Sequence, residues 1–392
     1  MDTKTQQLDG LGRRTFLRNA LLAGVPLALG GVAFGASAAT VRRTPTLQSI
    51  YAPPARTRGA TVLDVRKYGA FGDGVHDDTA AFNAAIKALP ADGGTVTVPA
   101  GNYLINAVTS INLRSKMHLQ LDPAATLVCK PNAEEKAYVI YAYKVSDVEI
   151  SGGRVTGDRY NHLGTTGEWG HAVFVRGSQR VTVRDMLLSD CWGDGMSIGA
   201  ALVFNGDPIP SEDVVVANVV CTNNRRQGLS IGRGNNVVIR DSEFSNSNGT
   251  APECGIDIEP DDPGISNVVS IENCVLRGNK KYGLMAYKRS TNTSIRRCTI
   301  EKNGSCGIVT VGTNSMRIEA NTIRLNSATG VYIQDGSNDC EITGNTFYGN
   351  YARNGIVDRV DFTQTGWTSK IERDILVKTM TTNVRVMSNF YK

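Results

Sequence analysis

Ile271-Glu272-Asn273-Cys274-Val275-Leu276-Arg277-Gly278-Asn279-Lys280-Lys281-Tyr282-Gly283-Leu284 is one copy of a repeating unit. Its skeleton returns at Ile295-x-x-Cys298-x-Ile300-x-x-Asn303 with Gly307-Ile308, and at Ile318-x-x-Asn321-x-Ile323-x-x-Asn326 with Gly330-Val331-Tyr332-Ile333. Ile342-x-x-Asn345-x-Phe347-x-x-Asn350 with Gly355-Ile356-Val357 continues it, and Val183-x-x-Met186-x-Leu188-x-x-Cys191 is an earlier copy. The glycine that precedes apolar-x-apolar also stands at Gly195, Gly228 and Gly255, so successive steps from Gly195 to Gly355 are 33, 27, 28, 24, 23 and 25 residues.

Each unit holds two or three short strands of period-2 alternation, punctuated by Asn and Gly turns. A unit this small cannot bury its apolar face alone. Stacked copies bury one continuous core, and every backbone group pairs with the coil above or below. The expected fold is all-β: a right-handed, single-stranded parallel β-helix with an N-terminal capping helix. Equivalent residues then form ladders at about 4.8 Å per coil. Asn accepts left-handed backbone at the turns and pairs along its ladder. Cys274 and Cys298 fall in one interior ladder, so the eight Cys are expected as buried thiols rather than disulfides.

Working outward, residues 1–38 are expected to be a twin-arginine signal peptide. Gly12-Arg13-Arg14-Thr15-Phe16-Leu17-Arg18 precedes a mildly apolar stretch ending in the small-residue pattern Ala36-Ser37-Ala38. Residues 39–60, with Pro45, Pro53 and Pro54, are expected as a linker. The β-helix is assigned to 61–357, including a helix at about 78–89 with Asp77 or Asp78 as N-cap. Residues 358–392 are expected as a C-terminal cap or tail. The product would be periplasmic or secreted. Composition agrees with one large folded domain: 41% apolar, 20% charged, 41 glycines and 7% aromatics. The net charge of +5 is scattered. It favours a polyanionic partner over nucleic acid, for which no basic stripe exists. No segment after the first forty residues can span a bilayer, and oligomeric state is left open.

Tyr68-Gly69-Ala70-Phe71-Gly72-Asp73-Gly74-Val75-His76-Asp77-Asp78-Thr79, Gly93-Gly94-Thr95-Val96, Val98-Pro99-Ala100-Gly101 and Ile150-Ser151-Gly152-Gly153 resemble segments of the pectate-lyase-like superfamily. That group includes pectin-degrading enzymes, alginate C5-epimerases, other polysaccharide lyases and phage tailspikes. The resemblance covers roughly residues 60–350 and implies the fold more than the reaction. Gly193-Asp194-Gly195 keeps one Asp where the polygalacturonase type has two in a row, and that type's Gly-His-Gly and Arg-Ile-Lys are absent. Trp192-Gly193-Asp194-Gly195-Met196-Ser197 is the nearest match to the epimerase segment Tyr-Gly-Phe-Asp-Pro-His and lacks its Pro-His.

If the apolar residues after each Gly point inward, Ser197, Ser230, Asp257, Met285, Val309 and Tyr332 point outward. The middle coils add charge around them, alternating acid and base. Expected catalytic residues are Arg226, Lys281, Tyr282, Asp194 and Asp257. Arg225, Arg233, Glu259 and Lys288 are expected to bind substrate, with Tyr160, His162 and Trp169 from the loop Arg159–Trp169. Asp257, Glu259 and Asp261 are a candidate Ca²⁺ set. His171 has interior parity and is expected to be structural. The expected substrate is an acidic polysaccharide, cut by β-elimination. A hydrolase using Asp194 with Asp257 or Glu259, a C5-epimerase, or a non-catalytic carbohydrate-binding rod are the alternatives.

Overall fold

The computed structural model describes residues 51–350, 362–364, 370–371, 374–378 and 380–392. The signal peptide expected at 1–38 and the repeat copy at Gly355-Ile356-Val357 lie outside them. Two parallel arrays of short strands wind around one core: a 23-stranded sheet and a narrower 11-stranded sheet. The narrow sheet carries one strand per coil, stacked in register from Ile111–Asn112 through Lys136–Tyr143, Trp169–Arg176, Met196–Gly199, Leu229–Ile231 and Ile256–Ile258. Leu284–Tyr287, Ile308–Val311, Val331–Ile333 and Ile375–Val377 continue it, and Lys370–Ile371 pairs antiparallel at its edge. This is the expected parallel β-helix.

The repeated glycine has a steric cause. A Cβ on Gly195, Gly228, Gly255, Gly283 or Gly307 would lie 2.6–2.9 Å from the carbonyl oxygen of the equivalent glycine one coil on. No side chain fits between backbones that close. Inside, the triplets after each glycine pile Leu229, Ile256, Leu284, Ile308 and Val331 into a fully buried column.

The asparagine ladders form as expected. The Asn279 side chain donates to Asn303, Asn303 to Asn326 and Asn326 to Asn350, at 3.0, 2.9 and 2.9 Å. Each amide oxygen also accepts a backbone N–H from the preceding coil. Cys274 and Cys298 are neighbours, with the Cys274 amide donating to Cys298 Sγ at 3.4 Å. All eight cysteines are buried free thiols.

At the N-terminal end the helix Thr79–Lys87 covers the first coils with Phe82 and Ile86 buried. Asp77 Oδ1 accepts the Thr79 amide. Asp78 occupies the cap position but does not cap the helix. Its carboxylate instead accepts the amides of Phe71 and Gly72, at 2.7 and 3.1 Å, tying down the preceding turn.

Two further placements correct the sequence reading. Residues 51–59 of the stretch expected as a linker lie along the wide sheet. Arg240 packs over the Tyr51 ring, buried Arg56 donates to Thr182 Oγ1 and to the carbonyls of Val181 and Asp213, and Arg58 pairs with Glu149. Ile375–Val377, Thr382–Met387 and Phe390–Tyr391, in the stretch expected as a cap or tail, form a further coil stacked on the strands at Val331, Asn338 and Thr346.

Candidate active site

The outward column of the narrow sheet is Phe174, Ser197, Ser230, Asp257, Met285, Val309 and Tyr332, in strict register. The expected parity holds, but outward does not mean exposed. Met285 and Val309 join Cys254, Tyr282 and Cys306 in a second apolar cluster outside the main core. Tyr282 is therefore a poor base, since burial pushes its phenol well above the ordinary tyrosine value. The polar part of this face is confined to the coils between Phe174 and Asp257.

Its centre is Asp194, fully buried immediately before the Met196–Gly199 strand. Arg226 Nη1, from the next coil, donates to both carboxylate oxygens at 3.1 and 3.0 Å. The Ser230 hydroxyl donates to Asp194 Oδ2 in a very short contact, and Gln227 Nε2 donates to Ser230 at 2.9 Å. Arg226 Nε faces Glu168 at 3.5 Å. Burial disfavours the Arg226 charge, but Asp194, Glu168, Asp257 and Glu259 outweigh it and hold the guanidinium above its usual value. Arg226 is thus a fixed cation and not a base.

His171 corrects the parity argument. Val139 and Ile140, and one coil on Ala172 and Val173, are consecutive residues that all enter the core, so strict alternation fails there. Tyr138 and His171, which pair with each other, are thereby turned to the outer face. The His171 ring stacks with those of Tyr138 and Phe174, and its Nδ1 accepts the Asp194 amide at 2.9 Å. That bond makes Nε2 the protonated nitrogen. Burial lowers the imidazole pKa to about 4, so the ring is neutral at ordinary pH. Gly193 is required here, because a Cβ would sit 2.9 Å from His171 Nδ1.

The predicted residues separate into three groups. Arg226, Asp194, Asp257 and Glu259 share one electrostatic environment. Lys281 lies one coil beyond Glu253, to whose carbonyl its amide donates, and acts with Arg226 and Asp257 on the electrostatics of Cys254. On the near side Arg225 stacks on Trp192 at 3.6 Å, and His162 stacks on the same indole at 4.1 Å while its Nδ1 meets Asp158 at 2.8 Å. Tyr160 accepts from Asn223, and Trp169 lies under Lys136. Arg233 and Lys288 follow their strands on the other side. Arg233 donates to the Asp262 carbonyl and Lys288 lies over Tyr287. They do not join the centre.

The Asp257, Glu259 and Asp261 trio is not gathered. Among the described residues no three His, Cys, Asp or Glu side chains are placed to hold a metal ion. The backbone through Asp257 is extended, so same-face carboxylates are roughly 6.5 Å apart at their Cα atoms, and buried Asp257 is separated from exposed Asp261 by Pro260.

Sequence reasoning missed Gln227, His171, Trp192, Phe174 and the strand tyrosines. Gln227 Oε1, His162 Nε2 and His171 Nε2 are buried with no hydrogen-bond partner. Buried polar atoms are nearly always satisfied, so Gln227 and His171 beside Asp194, with His162 under Trp192, mark places where a ligand completes the bonding. Tyr138, Tyr141 and Tyr143 were the available signal for the aromatic row, but their 3-then-2 spacing breaks the strand period.

The family model described as the right-handed beta helix region matches residues 128–263, and that of the periplasmic copper-binding protein NosD matches 204–391. The described residues offer no cluster suited to copper, and all eight thiols are buried. The SPbeta prophage-derived uncharacterized protein YorA of Bacillus subtilis is 31% identical over 223 residues, 50% of this chain and 38% of that protein. The chain thus spans less than half the length of this relative. Mannuronan C5-epimerase AlgE2 of Azotobacter vinelandii is 44% identical over 62 residues, 14% of this chain and 6% of the enzyme. Among solved structures, the A-module of the Azotobacter vinelandii mannuronan C-5 epimerase AlgE4 superposes with a TM-score of 0.59 at 19% identity, covering 85% of this chain and 99% of the module. Among the described residues no helix is long and apolar enough to cross a membrane. By its coil architecture the chain has the right-handed parallel β-helix fold, and both family models match parts of it.

Proposed function

We propose that this protein is an exported enzyme that acts on a uronic-acid polysaccharide by removing the proton beside the sugar carboxylate, most simply as a lyase. The observation that carries the reading is Arg226: a buried guanidinium held charged by Asp194 within reach of three more carboxylates, beside unsatisfied polar atoms and partly exposed aromatic rings. Proton removal next to a carboxylate drives negative charge onto that carboxylate. A cation already desolvated and fixed in place stabilises this charge without reorganising. Asp194, Ser230 and Gln227 are positioning residues for it. Lys281 is the candidate base, and Trp192 with Arg225 forms a wall for the sugar. The similar proteins AlgE2 and AlgE4 are mannuronan C5-epimerases, which also act on an acidic polymer. Export rests on residues 1–38 and on the periplasmic description of the NosD model.

An inverting hydrolase is the second reading. Asp194 and Asp257 are both buried, and the Asp194 carboxylate accepts from Ser230, which pairs with Asp257 in the next coil. The test is to incubate the protein with polymannuronate, polyguluronate and polygalacturonate and follow three products. Ultraviolet absorbance from an unsaturated chain end supports the lyase. New reducing ends without that absorbance replace it with the hydrolase. Deuterium uptake at C5 with no chain cutting replaces it with the epimerase. Binding with no product in any channel leaves a non-catalytic carbohydrate-binding rod.

A further inference from the structure

One and two coils toward the N-terminus from Ser197, the outer face of the narrow sheet changes from charged to aromatic. Tyr138, Tyr141, Tyr143 and Phe174 stand there as a row of nearly parallel rings. Tyr138 and Phe174 are 3.8 Å apart, and Tyr141 lies 5.6 Å from Phe174 and 5.5 Å from Tyr143. All four are partly open to solvent. Such residues normally face inward or are scattered singly. A contiguous, open row is a feature of binding surfaces. Cations border it: Arg176 lies over Phe174 at 3.9 Å and donates to Ser197 Oγ, and Lys144 lies over Tyr143.

A hairpin inserted in the chain forms the edge of the row. Its strands Ala201–Val203 and Gly206–Ile209 pair with each other and with no coil. Tyr143 Oη donates to the Leu202 carbonyl, which ties the hairpin to the row. At its tip Phe204 is 94% exposed and Leu202 72% exposed. Two large apolar side chains held out in water beside an aromatic floor gain nothing for folding.

We infer that the row Tyr138, Tyr141, Tyr143 and Phe174, with Phe204 on the hairpin, is a second binding segment of the substrate groove, taking further rings of an anionic polysaccharide on the N-terminal side of the Asp194 centre. Register carries the continuity: Phe174 pairs with Ser197 and Ser197 with Ser230, so the aromatic row runs directly into the centre one coil at a time. Pyranose rings present apolar C–H faces to aromatic side chains, and Arg176 and Lys144 select chains that carry carboxylates over neutral ones. The inference rests on the polysaccharide reading above, but its test separates the two.

The experiment measures binding of the full protein to defined oligouronates of two and six residues, and to neutral cellohexaose, by isothermal calorimetry, alongside turnover of the polymers. Phe204→Ser removes an exposed side chain and leaves the fold intact. It is expected to weaken hexamer binding roughly fivefold and leave dimer binding unchanged. Tyr141→Ala is expected to weaken the hexamer by about tenfold, with circular dichroism checking the fold. Asp194→Asn is expected to abolish turnover while the hexamer still binds. Unchanged hexamer affinity in Phe204→Ser overturns the inference and leaves the function standing if turnover persists. Tighter binding of cellohexaose than of the uronate hexamer also overturns it. Wild-type protein that binds no oligouronate and turns over no polymer overturns both.

Discussion

The coils before and after Asp262 are built from one unit and use it differently. After it, successive glycines are 24 and 23 residues apart, Asn side chains run as uninterrupted ladders, and the turns bind their own backbone. Before it, the steps from Gly195 are 33 and 27 residues, the first of them holding the 201–209 hairpin, and still nearer the N-terminus lie the Arg159–Trp169 loop and the break in alternation that turns His171 outward. The regular half shows what stability alone requires of this fold: apolar columns inside and a polar side chain at each turn for every backbone group. The irregular half buries both partners of an ion pair, Asp194 and Arg226, and leaves Gln227 Oε1 and His171 Nε2 without hydrogen bonds beside it. Both cost stability and are retained where a site needs them.

Three measurements sharpen or break this contrast. The largest effect is expected for the buried ion pair. Arg226→Ala leaves fully buried Asp194 charged without its cation and is expected to cost about 3–5 kcal/mol. Arg317→Ala, which removes a part-exposed pair with Asp339, is expected to cost under about 1 kcal/mol. Equal losses by urea denaturation would remove the distinction between the halves. Lys281→Ala, with no buried partner to strand, should lower turnover without moving the midpoint.

The pH response comes next. All four His lie in the irregular half. The His171 and His118 imidazoles are both lowered by burial from 6.5 to about 4. Between those values the unfolded chain binds protons that the folded one refuses. Stability is therefore complete above pH 6.5 and falls as pH drops toward 4, by about 3 kcal/mol for His171. Calorimetric melting from pH 7.5 to 4 should show this slope, and His171→Phe should flatten it. Hydrogen exchange should place the acid-induced opening before Asp262. Opening confined to the Asn-ladder coils would contradict the assignment.

The smallest effect is expected in the ladder itself. Asn303→Ala deprives the Asn279 amide of its acceptor and the Leu276 carbonyl of its donor. It should cost about 2 kcal/mol. Exchange should rise in the adjoining coils and not at Asp194.

The sequence carried the repeat, because a solenoid writes its own period: glycine where backbones touch, apolar columns inside, Asn at the turns. It also carried the outward column from Ser197 to Tyr332, the thiol ladder, and the grouping of Arg226 with Asp194 and Asp257. It did not carry depth. Asp257 and Tyr282 have the same outward parity or flank as exposed residues would, yet are buried, since what lies above a face is set by loops far away in the chain. His171 was hidden by a local break in alternation that moves a side chain to the opposite face without any change in residue type. The strap at residues 51–59 looked like a linker, because only packing across the sheet gives Arg56 its three acceptors. Local pattern determines which residues repeat, and hence the rod. Only the stacked coils decide which charges lose their water, and that loss of water is what makes Arg226 a fixed cation instead of one more arginine on a surface.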